Sequence, residues 1–344
     1  MTRNTAYLFS LLPGVITVSG NFLGGNWVYG NFLYSLVFLA LVEWFVPEKK
    51  SNESQKESRL PDLILIFHVV LQVLALSTLF YSLKENKIFG FAILGAALST
   101  GVHSGTSAIV IAHEMIHRKS AVWQSLGKFL LFTVGNIYFF VEHLRIHHKW
   151  VGTDNDPATA RYGENVYSFF IRSVTGQIAG AWKLEKARLT TEQKSVFNFS
   201  NYVWMSLLAL IFVLLMLYFW LGQIAAFVFA LQALIANFLL EYTNYVEHYG
   251  LHRDEKERVR EMHSWQSDKF VSRFMLIDLS RHSDHHYYAS KPYHVLERYE
   301  DSPVLPGGYA AAFYLALIPP LWFKVVNKTL KIFHQQQEQK GSVR

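Results

Sequence analysis

On length alone the 344 residues would fill two soluble domains, but 51% are hydrophobic, 16% aromatic and only 17% charged. A soluble globular chain carries about 25% charged residues, so this composition excludes disorder and argues against a purely soluble fold. There is no cysteine, which excludes disulfides, thiolate nucleophiles, iron–sulfur clusters and Cys-ligated zinc or iron, whereas histidine occurs 15 times.

A membrane-spanning helix needs about 20 mostly apolar residues to cross about 30 Å of hydrocarbon. Along the chain, 7–23, 27–46, 62–83 and 88–112 meet that need, followed after a long polar segment by 202–220 and 222–246. The first has only Arg3 as a charged leader and no clear small-x-small site before Trp27, so it reads as a retained helix and not a cleaved signal. The apolar stretch 122–140 is broken by Gln124, Gly127, Lys128 and Gly135 and reads as a buried or interfacial helix. Residues 309–323 carry Pro319 and Pro320 and suit a short terminal helix at the membrane surface.

Charge orients these spans. With the N-terminus and the 47–61 loop on the cytoplasmic side, every lysine and arginine except Lys84 and Lys87 falls inside, Lys49, Lys50, Lys56 and Arg59 among them. The net charge of +6 is then explained by loops that face an anionic leaflet. No helix–turn–helix, zinc finger or basic stripe points to nucleic acid. The expectation is an all-α, polytopic membrane protein: one integral-membrane domain over 1–344, six transmembrane helices and a cytoplasmic cap from 113–200 and 247–308.

Four histidine clusters lie at that face: His113-Glu114-Met115-Ile116-His117, His143-Leu144-Arg145-Ile146-His147-His148, Glu247-His248 and His282-Ser283-Asp284-His285-His286. Residues at i, i+3 and i+4 share a helix face, so each of His113/His117, His143/His147 and His282/His285/His286 can aim at a common centre. Nine imidazoles exceed the needs of one four-coordinate zinc and suit two metals, with iron, copper, zinc and nickel all compatible with imidazole. The HExxH motif alone also fits a membrane zinc protease with Glu114 as base. A metal carrier would need a polar path across the bilayer, and the one-sided charges and histidines offer none.

Ligating histidines usually donate their second N–H to a carboxylate; Glu114, Glu142, Glu247 and Asp284 are the candidates, with Asp154 and Asp156 further off. Ser99, Val102, Thr106 and Val110 form a stripe of small residues leading to His113, and read either as close helix packing or as a slot for a slender apolar molecule. On the sixth apolar segment Asn237, Glu241, Asn244 and His248 recur at helical spacing. His68 and His103 lie within spans and read as functional intramembrane groups or as neutral core histidines. His252 reads as a loop residue, and His263, His294 and His334 as non-ligands.

These motifs resemble those of the integral-membrane alkane hydroxylases (alkane 1-monooxygenases), part of the histidine-rich membrane fatty-acid desaturase and hydroxylase superfamily. The resemblance covers about residues 20–328. It is densest in the histidine boxes, in Asp156-Pro157-Ala158-Thr159-Ala160-Arg161-Tyr162-Gly163-Glu164, in Asn244-Tyr245-Val246-Glu247-His248-Tyr249-Gly250-Leu251 and in Arg281-His282-Ser283-Asp284-His285-His286. Leu305-Pro306-Gly307-Gly308-Tyr309 and Pro319-Pro320-Leu321-Trp322 are similar as well.

The resemblance implies a di-iron site on His113, His117, His143, His147, His148, His248, His282, His285 and His286. It also implies hydroxylation of a terminal methyl with O2, with electrons from rubredoxin and its NAD(P)H-dependent reductase; the lack of cysteine agrees with a separate rubredoxin. The chain departs from the family pattern at Val110, Arg118, Ile146 and Gln266, none of them a ligand. A desaturase, or a hydroxylase of fatty acyl or aromatic methyl groups, would share the same histidines.

Overall fold

The computed structural model describes residues 2–52 and 58–342. Lys56 and Arg344, both among the inward-facing cations, lie outside the described residues. The described residues are helical and form no strand; Gln266 and Val304 make an isolated parallel bridge. Among them six helices are long and apolar enough to cross a membrane: Arg3–Leu23, Gly25–Phe45, Leu60–Lys84, Ala92–His117, Tyr202–Leu221 and Gln223–His248. These are the six expected segments, with shifted ends. The fourth begins later, after Gly90 turns the chain with φ +56°, and runs on through His113 and His117.

The chain divides into two compact units, one of residues 1–38, 55–146 and 175–240, the other of 39–54, 147–174 and 241–344. In the first unit, glycines set the distances between helices. A Cβ on Gly101 would lie 2.7 Å from Ile235 and 2.9 Å from the Gln232 carbonyl, and one on Gly105 would lie 2.9 Å from Leu239. This Gly-x-x-x-Gly pair lets the fourth span press its backbone against the sixth.

Polar side chains between these helices bond to one another, because hydrocarbon offers them nothing else. His68 lies 2.8 Å from the Ser10 hydroxyl and 2.6 Å from that of Ser107. Gln72 donates to Ser104 and Thr133, and Ser104 donates to Gln232. His68 is thus a hydrogen-bonded core histidine, and His103 is buried beside Gly14.

The fourth span is not a regular α-helix. Ser104–Ile109 form a π-type turn, as do Leu33–Phe38 in the second span and His143–His147 further on. A π turn inserts about one extra residue and rotates the rest of the helix by roughly 100°. The stripe Ser99, Val102, Thr106, Val110 therefore does not lie on one face: Ser99 and Val102 precede the turn, and Val110 shares the later α-turns with His113.

The second unit is held by buried aromatics and paired charges. Trp265 and Trp322 are fully buried with Tyr245 and Tyr249, and the Trp265 indole donates to the Tyr249 carbonyl at 3.0 Å. Arg273 pairs with Asp278 at 2.6 Å and Arg281 with Asp268 at 3.1 Å. Buried arginines are tolerable only with such partners. Glu43 accepts from the backbone N–H groups of Ser272 and Ala310, both at 2.8 Å, and so caps the start of helix Gly308–Leu317.

The C-terminal region differs from the single short helix expected over 309–323. Gly308–Leu317 ends at Ile318, which is non-helical (φ −118°, ψ 83°), and a second helix runs Pro319–Ser342. Proline lacks the N–H that would continue the first helix and fits the first turn of the next. The second helix buries Trp322, Val326, Leu330 and Phe333, a helical repeat that anchors it.

Candidate metal centre

In the first unit His113 and His117 are four residues apart on the α-helical end of the fourth span, and His143 opens the π turn at 143–147. Their rings meet edge to face, with centroids 4.5 Å apart for His113 and His143 and 4.9 Å for His113 and His117. Nε2 of His117 stands 3.0 Å from Nε2 of His143. Phe139 stacks flat on His143 at 4.5 Å and walls that side with carbon. Glu114 accepts from Arg118 at 3.1 Å, and Arg118 also reaches Asp62 at 2.7 Å.

In the second unit His147, His248, His282 and His286 are all buried, each presenting a ring nitrogen within 4.8 Å of the others. His248 closes the sixth span; His282 and His286 are one turn apart on helix His282–Tyr287. His248 Nε2 and His282 Nε2 are 3.3 Å apart. His285, rotated off that face by one residue, pairs instead with His148, Nε2 to Nε2 at 3.1 Å.

This geometry fits a metal. Two imidazole nitrogens bound to one ion at about 2.1 Å stand roughly 3.0–3.4 Å apart, which is the range of the three Nε2 pairs. Both ring nitrogens of His286 are buried, and among the described residues neither has a hydrogen-bond partner. Burial and the surrounding imidazoles, His282 foremost, push His286 well below the usual histidine range, so it stands neutral, as a ligand must.

The carboxylates divide by role. Asp156 Oδ2 lies 2.9 Å from His147 Nδ1 and also accepts from the Thr159 hydroxyl at 2.6 Å, while Oδ1 accepts from the Ala158 N–H at 3.0 Å. Burial pushes this carboxyl up, but the adjacent His147 and the Thr159 hydroxyl outweigh it and hold Asp156 below the usual carboxylate range. With Nδ1 held, Nε2 is the nitrogen of His147 left for a metal. Glu247 lies 3.1 Å from His282 Nε2 and accepts from the Tyr309 hydroxyl at 2.6 Å.

Asp284 takes its hydrogen bonds elsewhere, from Lys291, the Glu297 N–H and Tyr299. Glu142 is buried beside His143 in sequence. Asp154 and His252 line a cavity of about 320 Å³ that also reaches Asp156 and Thr159. His263 is buried, its Nδ1 accepting from the Arg260 N–H at 3.0 Å, and neither it nor His294 or His334 joins a cluster. Sequence spacing sets Asp156 among the distant carboxylates and does not reach Thr159 or Tyr309. The signal for the first two is the Asp-Pro-Ala-Thr turn nine residues after His147, in which an aspartate folds back on its own backbone.

Residues 88–316 match the family model described as fatty acid desaturase. The chain is 42% identical to alkane 1-monooxygenase 1 of Pseudomonas aeruginosa over 71% of its own length and 65% of the relative's. It is 38% identical to alkane 1-monooxygenase 2 of Alcanivorax borkumensis over 76% of this chain and 70% of that one. To the alkane 1-monooxygenase of Pseudomonas putida it is 35% identical over 81% and 70%. The matched region thus spans just under two thirds of the first relative's length. Six apolar spans, two histidine clusters able to hold metal and these likenesses agree: the chain is a multi-pass membrane protein that belongs to the fatty acid desaturase family and, within it, to the alkane 1-monooxygenases.

Proposed function

We propose that this chain is a non-haem di-iron monooxygenase that hydroxylates the terminal methyl of a medium- or long-chain alkane to a primary alcohol, using O2 and electrons from rubredoxin and its NAD(P)H-dependent reductase. The observation that carries the reading is the convergence of four buried imidazoles, those of His147, His248, His282 and His286. The ligand set proposed is all nine clustered histidines, and the place proposed is the cytoplasmic side of a bacterial inner membrane, where the positive-inside rule puts them. The names of the relatives support the alkane substrate and the oxidoreductase class.

Bound iron would supply the activation of O2 and the oxidant that takes a hydrogen from an unactivated methyl. The chain's own residues supply orientation and dryness. Asp156 holds the His147 tautomer; Tyr309, donating to Glu247, fixes the carboxylate beside His282. Phe139 stacked on His143 gives an apolar wall at that histidine, and Val110 lies buried one turn before His113. We assign Ser99, Val102, Thr106 and Val110 to the substrate channel, which must then follow the π turn around the fourth span and not run along one face, with Val110 the nearest to His113 in sequence. Such walls position a hydrocarbon and exclude water.

The test is elemental analysis of detergent-purified protein expressed with iron and zinc both available, followed by product analysis with rubredoxin, reductase and alkanes. About two irons per chain and a primary alcohol are expected. One zinc with little iron would overturn the reading in favour of a protease. Alkenes, hydroxylated acyl chains or benzylic alcohols would replace the alkane by another substrate on the same histidines. Replacing His147 or His285 by Ala should abolish turnover, and full activity of either variant would refute the ligand set.

A further inference from the structure

We propose that the groove between helix Ala121–Thr133 and the start of the span Tyr202–Leu221 binds an anionic glycerophospholipid, with its phosphate on Lys128. The cavity there is about 360 Å³, lined by Phe129, Phe132 and Ile137 as apolar wall and by Ser125, Lys128, Tyr202 and Ser206 as polar residues, with Tyr202 and Ser206 hydrogen-bonded to each other. That is the make-up of a ligand site: mostly apolar, with a few convergent polar groups.

Lys128 is the informative residue. It is half-buried, its ammonium lies 4.8 Å from the Phe140 ring and 5.9 Å from that of Tyr202, and among the described residues no carboxylate pairs with it. Aromatic faces compensate a cation only in part, so an anion placed in the groove gains. Tyr202 is the first residue of its span, the level at which tyrosines meet lipid headgroups. Phosphate at that depth arrives attached to acyl chains, and Phe129, 44% exposed, offers them a surface. An uncharged hydrocarbon would gain nothing from Lys128, and free phosphate nothing from the phenylalanines. Basic pockets between spans are a recurrent means of headgroup recognition.

The experiment titrates phosphatidylglycerol into the iron-loaded, full-length protein in neutral detergent, reading bound lipid by native mass spectrometry and the unfolding midpoint by heating. Retention of phosphatidylglycerol over phosphatidylcholine and a rise in midpoint are expected. Lys128→Gln should weaken phosphatidylglycerol binding by about fivefold or more, the factor one lysine contributes at an anionic surface, whereas Lys128→Arg should keep it. Should the glutamine variant not fold, Ser206→Ala, which removes a hydroxyl and keeps the charge, should weaken binding while the arginine variant does not. Equal retention of the two lipids would overturn the proposal, as would wild-type binding by Lys128→Gln or Ser206→Ala. So would displacement of the lipid by decane, which would make the groove a hydrocarbon site, or an equal midpoint rise with inorganic phosphate.

Discussion

Asp156→Asn keeps the shape of the buried group beside His147 and removes its charge. The aspartate accepts three hydrogen bonds, from His147 Nδ1, the Thr159 hydroxyl and the Ala158 N–H. An asparagine oxygen can serve only one side of that arrangement. If it faces His147 and Thr159, its own N–H₂ meets the Ala158 N–H, donor against donor; if it flips, the clash moves to His147. At least one buried donor is left unsatisfied, at a cost of about 1–3 kcal/mol, and the charge-assisted bond to His147 weakens as well. Where that cost falls on the metal-binding state, the affinity for iron should drop by about 10–100-fold, the usual penalty for losing the carboxylate behind a ligating histidine. The assay is iron retained per chain against a graded chelator, with His286→Ala as the reference for loss of a ligand. Unchanged retention in Asp156→Asn alongside loss in His286→Ala would refute the orienting role and leave the metal site standing.

Three further outcomes are expected. Val110→Phe, one turn before His113 on the same α-helical stretch, should shorten the longest alkane accepted; an unchanged product profile across chain lengths would make Val110 a packing residue. Gly101→Ala places a methyl 2.7 Å from Ile235 and should destabilise by about 1–3 kcal/mol, read as a lower unfolding midpoint; no change would mean that the fourth and sixth spans do not press together there. Burial pushes His263 down to about 4, against about 6.5 in an unfolded chain. Between those values the unfolded chain takes up a proton that the folded one refuses, so stability is full above the upper value and falls as pH drops through the window. His263→Leu should flatten the pH dependence of the midpoint there by about one proton, and equal slopes would contradict the shift.

The spans are legible because each is a run of carbon bounded by charge, and the ends that differ do so for local reasons. Gly90 delays the fourth span, and the absence of a breaker between Ala112 and Arg118 lets that helix run through His117. The terminal helix Pro319–Ser342 reads short in the sequence because Lys324, Asn327, Lys328 and Lys331 break the apolar run after Phe323. What holds it is the spacing of Trp322, Val326, Leu330 and Phe333, a stripe that begins beyond the two prolines that resemble a terminus.

The histidine site is legible as residues but not as a partition, and the difference is one of helical register. Spacing of i and i+4 predicts correctly wherever the local backbone is α-helical: His113 stays with His117, and His282 with His286. It predicts a shared centre for His143 and His147 as well, yet the π turn there winds more residues into each turn. His143 joins His113 and His117, while His147 joins His248, His282 and His286, and His148 turns to His285. Nothing in His-Leu-Arg-Ile-His-His marks such a turn, since a π insertion is set by what the surrounding side chains require and not by local propensity. A chain that must hand successive histidines of one short segment to two clusters gains from it: a regular α-turn would superpose His143 and His147, and the inserted residue separates them.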